Sequence, residues 1–270
     1  MESHDAGSVT FTSFVAADGS LEAVELAQAL ARSAPSAPRL LLLCGRPGSG
    51  KTHLLRAIGH FVSRERPPVP VIQTTAEEVL QRWVAAARRG EALETLGPPG
   101  AVVTIDDLHT LAGRVAVQRE FARQLAAAID HGTRLACAIG RFSEAPVLVK
   151  AIKGLPGARV VQLRPATGVA MSRILAELAR REATPLQRAQ LQSIAASCRG
   201  DVRRACGAIA RQRLLELRAS EEGAGADRGG RKPSRAAEPP RLVRGFSATR
   251  SSAGSPRGDR SRRVTRSRTR

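Results

Sequence analysis

Eight consecutive residues, Gly45-Arg-Pro-Gly-Ser-Gly-Lys-Thr52, carry the spacing G-x-x-x-x-G-K-[ST]. Each residue type in this pattern has a task on phosphate. Glycines let backbone N–H groups wrap oxygens without a Cβ in the way, and a helix opening at the lysine adds its positive end. Lys51 is placed to contact β- and γ-phosphates, and Thr52 to ligate Mg²⁺. The nucleotide-contacting set therefore comprises Gly45, Arg46, Pro47, Gly48, Ser49, Gly50, Lys51 and Thr52, with His53 next to it. Lys51 is expected to face solvent. A second group, Ala101-Val-Val-Thr-Ile-Asp106-Asp107, is an apolar strand ending in two carboxylates. Asp106 suits the Mg²⁺ shell, and Asp107 suits orienting or deprotonating an attacking water. The catalytic candidates are Lys51 and Asp107, and the metal candidates are Thr52 and Asp106.

Such residues need a scaffold that brings two strand ends together. Five short apolar segments are available: Leu40–Cys44, Val69–Gln73, Ala101–Ile105, Leu135–Ile139 and Val160–Leu163. Near-continuous apolar runs are what strands covered on both faces look like. Helical faces alternate with them: Leu54, Ile58 and Phe61; Val79, Trp83 and Ala86; Phe121, Leu125 and Ile129. Alternating β and α segments predict a parallel, doubly wound α/β sheet. A helix is expected over Leu21–Arg32, before a break at Ser33–Pro38. After Pro165 only helical patterns appear, over Ala170–Arg181, Leu186–Cys198 and Asp201–Arg218.

The chain has 43 Lys+Arg against 24 Asp+Glu, a net charge of +19. Residues 221–270 hold 14 of those cations against 5 acids, with Gly, Pro and Ser between them and Phe246 as the sole aromatic. Such a segment buries too little to offset its ordering entropy and is expected to be disordered. Its charge suits non-specific contact with nucleic acid, to which the basic core can add. No apolar run nears the ~20 residues that span a bilayer, so no membrane partner is expected. Met1–Ser8 does not look like a secretory signal. Cys44, Cys137, Cys198 and Cys206 lack CxxC spacing, and the five histidines lack H-x-x-x-H spacing. Reduced thiols in a cytoplasmic protein are the expectation. No G-x-S-x-G surrounds any serine, which argues against a nucleophile elbow.

Three stretches together resemble a known family: Gly50-Lys-Thr-His-Leu-Leu-Arg-Ala-Ile-Gly-His60, Thr75-Ala-Glu-Glu78 and Ile105-Asp-Asp-Leu-His-Thr-Leu-Ala-Gly113. They are similar to the AAA+ domain of the bacterial replication initiator DnaA. Phe11-x-x-Phe14-Val15 resembles that family's N-terminal box, which implies that Phe14 and Val15 lie beside adenine. Gly200-Asp-Val-Arg203 resembles its sensor 2 helix, which implies that Arg203 reaches the γ-phosphate and joins the catalytic and nucleotide-binding sets. The resemblance covers residues 9–217. It implies a P-loop AAA+ fold with a five-stranded parallel sheet and a small helical lid, with ATP and Mg²⁺ as ligands. The expected organisation is residues 1–38 as an adenine-side linker, 39–165 as the α/β core, 166–220 as the lid and 221–270 as the basic tail.

Three departures from the family pattern bear on activity. The family's C-terminal helix-turn-helix domain has no counterpart in this sequence. Its arginine finger falls near Ala151–Gly157, where the nearby cations are Lys153 and Arg159. Its sensor 1 position falls at Ala138-Ile-Gly140-Arg141, where Arg141 is the one polar side chain. The resemblance implies a slow ATPase acting as a nucleotide-dependent switch in replication initiation or its regulation, with replication proteins as possible partners. The alternatives are a non-hydrolysing adaptor or helicase loader of the Hda or DnaC kind, and a transposition-helper ATPase of the IstB type.

Overall fold

The computed structural model describes residues 9–16, 18–65, 67–166, 168–184 and 186–227. Five strands, β1 (Leu40–Cys44), β2 (Val71–Thr75), β3 (Val102–Asp106), β4 (Arg134–Ile139) and β5 (Ala158–Gln162), form one sheet in the order β2-β3-β4-β1-β5. Every pairing is parallel. β1 is therefore central, flanked by β4 and β5, and all its residues are buried. That burial explains why an unbroken Leu-Leu-Leu-Leu-Cys run marks it with no alternation.

The two-residue period of β1 divides its side chains between two core layers. Leu40, Leu42 and Cys44 pack with Val79 and Trp83 of α3 (Ala76–Arg88), Phe121 and Leu125 of α4 (Val115–Asp130), and Leu148 and Ile152 of α5 (Pro146–Gly154). Leu41 and Leu43 face the other way. They meet Ala27 and Leu30 of α1 (Leu21–Ala31) and Leu54 and Ile58 of α2 (Lys51–Val62). The result is a three-layer α/β/α core with helices on both faces of the sheet. The predicted helical faces on α3 and α4 are all buried; on α2, Phe61 is only partly buried. Trp83 lies against Phe121 with ring centroids 5.2 Å apart, and its indole N–H donates to the Glu94 carbonyl.

Three more helices, α6 (Gly168–Arg181), α7 (Arg188–Cys198) and α8 (Val202–Asp227), enclose a separate apolar cluster around Met171, Leu175, Ala205 and Ile209. Val15 from the N-terminal segment packs against this cluster.

Several boundaries differ from the sequence reading. β2 lies two residues after the predicted segment, β5 starts two residues and ends one residue before its own, and both are edge strands with partly exposed residues, where the apolar signal is weakest. α5 was not anticipated. Its β-branched Val147 and Val149 obscure a helix that Pro146 begins in its first turn. α8 continues to Asp227, past the expected end of the lid at residue 220. The expected disorder and nucleic-acid contact of the tail concern residues that, from 228 onward, lie outside the described ones.

Since β1 is covered on both faces and both edges, Leu42→Ala should lower stability by about 2–5 kcal/mol. Leu217→Ala, at a side chain 53% exposed, should change it by no more than about 0.5 kcal/mol. Thermal melts of both variants check this, and equal shifts would contradict the assigned core.

Candidate nucleotide site

The loop between β1 and α2 turns through two left-handed glycines, Gly48 (φ 77°) and Gly50 (φ 96°). A Cβ at either position is excluded twice over, by backbone conformation and by a neighbour. At Gly48 it would overlap the Asp201 carboxylate, and at Gly50 it would come within 2.6 Å of the Phe14 ring. The loop thus lies under the start of α8 on one side and under the N-terminal segment on the other. The Val202 N–H donates to the Gly48 carbonyl at 3.1 Å. Asp201 accepts from the Arg203 N–H at 2.9 Å and so caps α8.

Lys51 does not face open solvent as expected. Its Nζ turns back into the loop and donates to the Gly45 carbonyl at 2.6 Å and the Arg46 carbonyl at 3.2 Å. Burial of its stem holds the ammonium below its ordinary pKa; Asp106 opposes that effect and Arg203 adds to it. The Thr52 hydroxyl donates to Asp106 Oδ2 at 2.6 Å. Asp106 Oδ1 accepts from the Asp107 N–H at 2.8 Å. Asp107 itself sits at φ 58°, a left-handed conformation uncommon for a non-glycine residue. Its Oδ1 is 3.5 Å from His109 Nδ1.

Three cavities run along this loop and share walls. The first, of about 140 Å³, is mainly apolar and lies between Phe14 and Val15 on one side and Ile174 and Leu178 of α6 on the other. The second, of about 320 Å³, is lined by Gly48, Gly50, Lys51, Thr52 and Arg203. Gly50, His53, Val202 and Cys206 border both. The third, of about 300 Å³, holds Arg46, Pro47, Asp106, Asp107 and Arg141, and shares Lys51 and Arg203 with the second. An apolar slot thus leads to a glycine loop and on to a pair of carboxylates, matching the base-to-phosphate order of a nucleotide.

Two observations test the fit of such a ligand. Ser49 Oγ is the one buried side-chain polar atom without a hydrogen-bond partner among the described residues, and it sits in the loop. Thr52 and Asp106 place a hydroxyl and a carboxylate together beside the second and third cavities, a donor pair suited to Mg²⁺, which keeps most of its water. The described residues contain no group of three or more His, Cys, Asp or Glu that could hold a metal by themselves. All four cysteines are free thiols, and burial pushes Cys137 up to about 12.

Residues 6–150 match the family model for the bacterial DnaA ATPase domain. The chain belongs to this DnaA family. It is 32% identical over 134 residues to the chromosomal replication initiator protein DnaA of Cereibacter sphaeroides, a match covering 49% of this chain and 30% of that protein. The matched region is therefore under a third of that DnaA's length. The fold is that of domain III of the Thermotoga maritima replication initiation protein DnaA (26% identity, TM-score 0.66, 80% of this chain and 90% of that one). It is also that of an AMPPCP-bound DnaA from Aquifex aeolicus (19% identity, TM-score 0.63, 82% and 70%). The α/β DnaA-type AAA+ fold expected from the sequence is the observed one.

The structure brings Arg46–Thr52, Asp106, Asp107, Phe14, Val15, His53 and Arg203 to the walls of these cavities, while Gly45 lines none of them and meets the site only through its carbonyl, which accepts from Lys51. It also adds residues that the sequence did not single out. Arg181 donates to the Ser13 carbonyl at 2.8 Å and to Glu177, tying the N-terminal segment to α6. Hydrogen bonds from Arg180 and Arg181 hold the Glu177 carboxyl down at about 2. Gln118 is buried in α4. It donates to the Leu111 carbonyl and accepts from the Val147 and Leu148 N–H groups, joining the loop after β3 to the start of α5. Such long-range contacts carry no local signal. Asp201 did carry one, a helix-capping residue between Gly200 and the helix.

His53 Nε2 lies 3.0 Å from Ser13 Oγ and 3.1 Å from the Thr10 carbonyl, with the Phe14 ring edge-on at 5.3 Å. Burial holds its pKa below the ordinary 6.5; the Thr10 carbonyl opposes this, and Arg181 and Arg56 add to it. A depressed folded value means that its contribution is complete above pH 6.5 and is lost as pH falls through the folded value. The melting temperature should accordingly drop below pH 6.5, and the His53→Gln curve should be flatter in that window. Parallel curves would contradict this.

Proposed function

We propose that this chain binds Mg·ATP along the three joined cavities and acts as a nucleotide-dependent switch in replication initiation or its regulation. The observation that carries the reading is the Thr52–Asp106 hydrogen bond at the junction of the glycine loop and β3. It supports the reading because the two groups suited to Mg²⁺ meet at the end of a groove that begins in an apolar slot. Phe14 and Val15 take the base side, and Lys51 takes the β- and γ-phosphates. Thr52 and Asp106 hold the metal, and Asp107 orients the water. Arg203 enters from α8, whose first turn already rests on Gly48. Anything seated in the loop therefore acts directly on the lid, which is how nucleotide state becomes a change of surface.

A binding-only adaptor is favoured by one observation. Lys153, near the family's arginine-finger position, has its Nζ 5.2 Å from the Phe142 ring centroid. A lysine held there cannot supply a planar guanidinium to a neighbouring molecule. Net charge of +19 further supports a polyanion partner such as nucleic acid. No helix among the described residues is long and apolar enough to cross a membrane.

Ligand stabilisation follows RT ln(1 + [L]/Kd), about 2.7 kcal/mol at a hundredfold excess. Mg·ATP should raise the melting temperature of the wild-type chain, and Lys51→Ala should abolish the shift while keeping the ligand-free melt. Asp107→Asn should keep the shift and lower ATP turnover. Equal shifts in wild type and Lys51→Ala would remove the nucleotide reading; a shift with turnover at background would leave the adaptor.

A further inference from the structure

Up to Ile209, α8 packs into the apolar cluster it shares with α6 and α7, where Ala205 and Ile209 are fully buried. Beyond it, Arg213 donates to Glu182 Oε2 at 2.6 Å and holds the helix to the turn after α6. The face away from Ala205 and Ile209 is open to solvent. Leu214, Leu215 and Leu217 are 61%, 54% and 53% exposed there. Among the described residues these are three of the seven large apolar side chains left exposed, and they fall within four positions. A single exposed leucine is ordinary, but contiguous apolar surface marks a place of interaction.

The helical repeat sorts this face into stripes. Ala210, Leu214 and Leu217 stand at i, i+4 and i+7 and form an apolar seam. Arg204, Arg211 and Arg218 recur every seven residues along one side of it, a line about 21 Å long at the helical rise. Arg213 stands on the other side. Arg204 has a 3.9 Å contact with Asp201, and neither Arg211 nor Arg218 has an ion-pair partner among the described residues. A seam of leucines bordered by cations on both sides complements an apolar stripe bordered by anions.

We propose that the outer face of α8 docks an acidic amphipathic helix of another protein. Apolar side chains of the partner, spaced by one helical turn, fill the seam, and its carboxylates meet Arg204, Arg211 and Arg218. Charge argues against the other occupants. Two copies of this face laid antiparallel bring the arginine line of one against that of the other; laid parallel, they bring it against Arg213. Like charges so placed are unfavourable. The sequence from residue 228 onward is also rich in arginine. A nucleic-acid backbone suits the arginines but leaves the leucines bare.

The test uses two synthetic amphipathic helices that share a leucine stripe at i, i+4 and i+7 and differ only in the residues flanking it, glutamate in one and lysine in the other. Fluorescence anisotropy reads their affinity for the full chain. The glutamate peptide should bind about tenfold tighter than the lysine peptide, and added salt, which screens exposed charges, should narrow the gap. Leu214→Ser should weaken the glutamate peptide about tenfold. Arg211→Glu combined with Arg218→Glu should reverse the preference between the peptides. Each variant should keep the wild-type melting temperature, because these side chains are exposed. Equal affinity for the two peptides, or none for either, would overturn the proposal. So would a wild-type dimer in sedimentation that Leu214→Ser dissociates, or a DNA affinity that the same substitution lowers, because a second copy or nucleic acid would then occupy the face.

Discussion

The hydrogen bond from the Thr52 hydroxyl to Asp106 spans two strands of the sheet. β1 leads through the glycine loop to Thr52 in the first turn of α2, and β3 ends at Asp106, but β4 lies between the two strands. Neighbouring strands are about 4.8 Å apart. The first turn of α2 must therefore lean across the end of β4 for the two side chains to meet. That requires all three strands to be parallel, in register and ending at the same carboxyl-terminal side of the sheet, and it requires little bulk above β4. Gly140 stands there. The α/β/α packing, the central apolar β1 and the left-handed turn at Gly48–Gly50 all serve this one contact. It also explains why ligands in such sheets gather at the carboxyl ends of strands.

The same loop is where the other parts of the protein lean. Asp201 occupies the space a Cβ at Gly48 would need, and Phe14 does the same at Gly50. α8 and the N-terminal segment are thus both in direct contact with the loop. Arg181 bridges the N-terminal segment to α6, and His53 bridges it to α2. A change in the loop therefore reaches the lid through packed contacts rather than over a distance. Such packed contacts are what the proposed switch would need, since a ligand shifts an equilibrium only through a difference in contacts between two states.

Much of this was legible in the sequence because it is written in local chemistry. The glycine loop, its lysine and hydroxyl, and two carboxylates ending an apolar strand are short motifs with specific physical demands. β1 was legible to the residue, since a fully buried strand has no reason to alternate. Edge strands were less so: β2 is partly exposed along its whole length, and its apolar signal runs ahead of its hydrogen-bonded register. The end of α8 was missed because two glycines near it read as breakers, although the helix runs through them. Arg181, Gln118 and the contact of Asp201 with Gly48 join residues far apart in sequence, and no pattern along the chain announces them. The glycine-loop motif itself suggests a Lys51 that faces solvent when the site is empty. Carbonyl groups of its own loop hold it instead.

The most direct test of the account is a double-mutant cycle on the Thr52–Asp106 pair, reading ATP affinity as a function of Mg²⁺. If both side chains serve one metal, Thr52→Val and Asp106→Asn should each abolish most of the gain in affinity that Mg²⁺ gives. The double variant should lose little more than either single one, since groups acting as a unit are not additive. Fully additive losses, or Mg²⁺ dependence that survives in the double variant, would show that the metal is held elsewhere and would contradict the account.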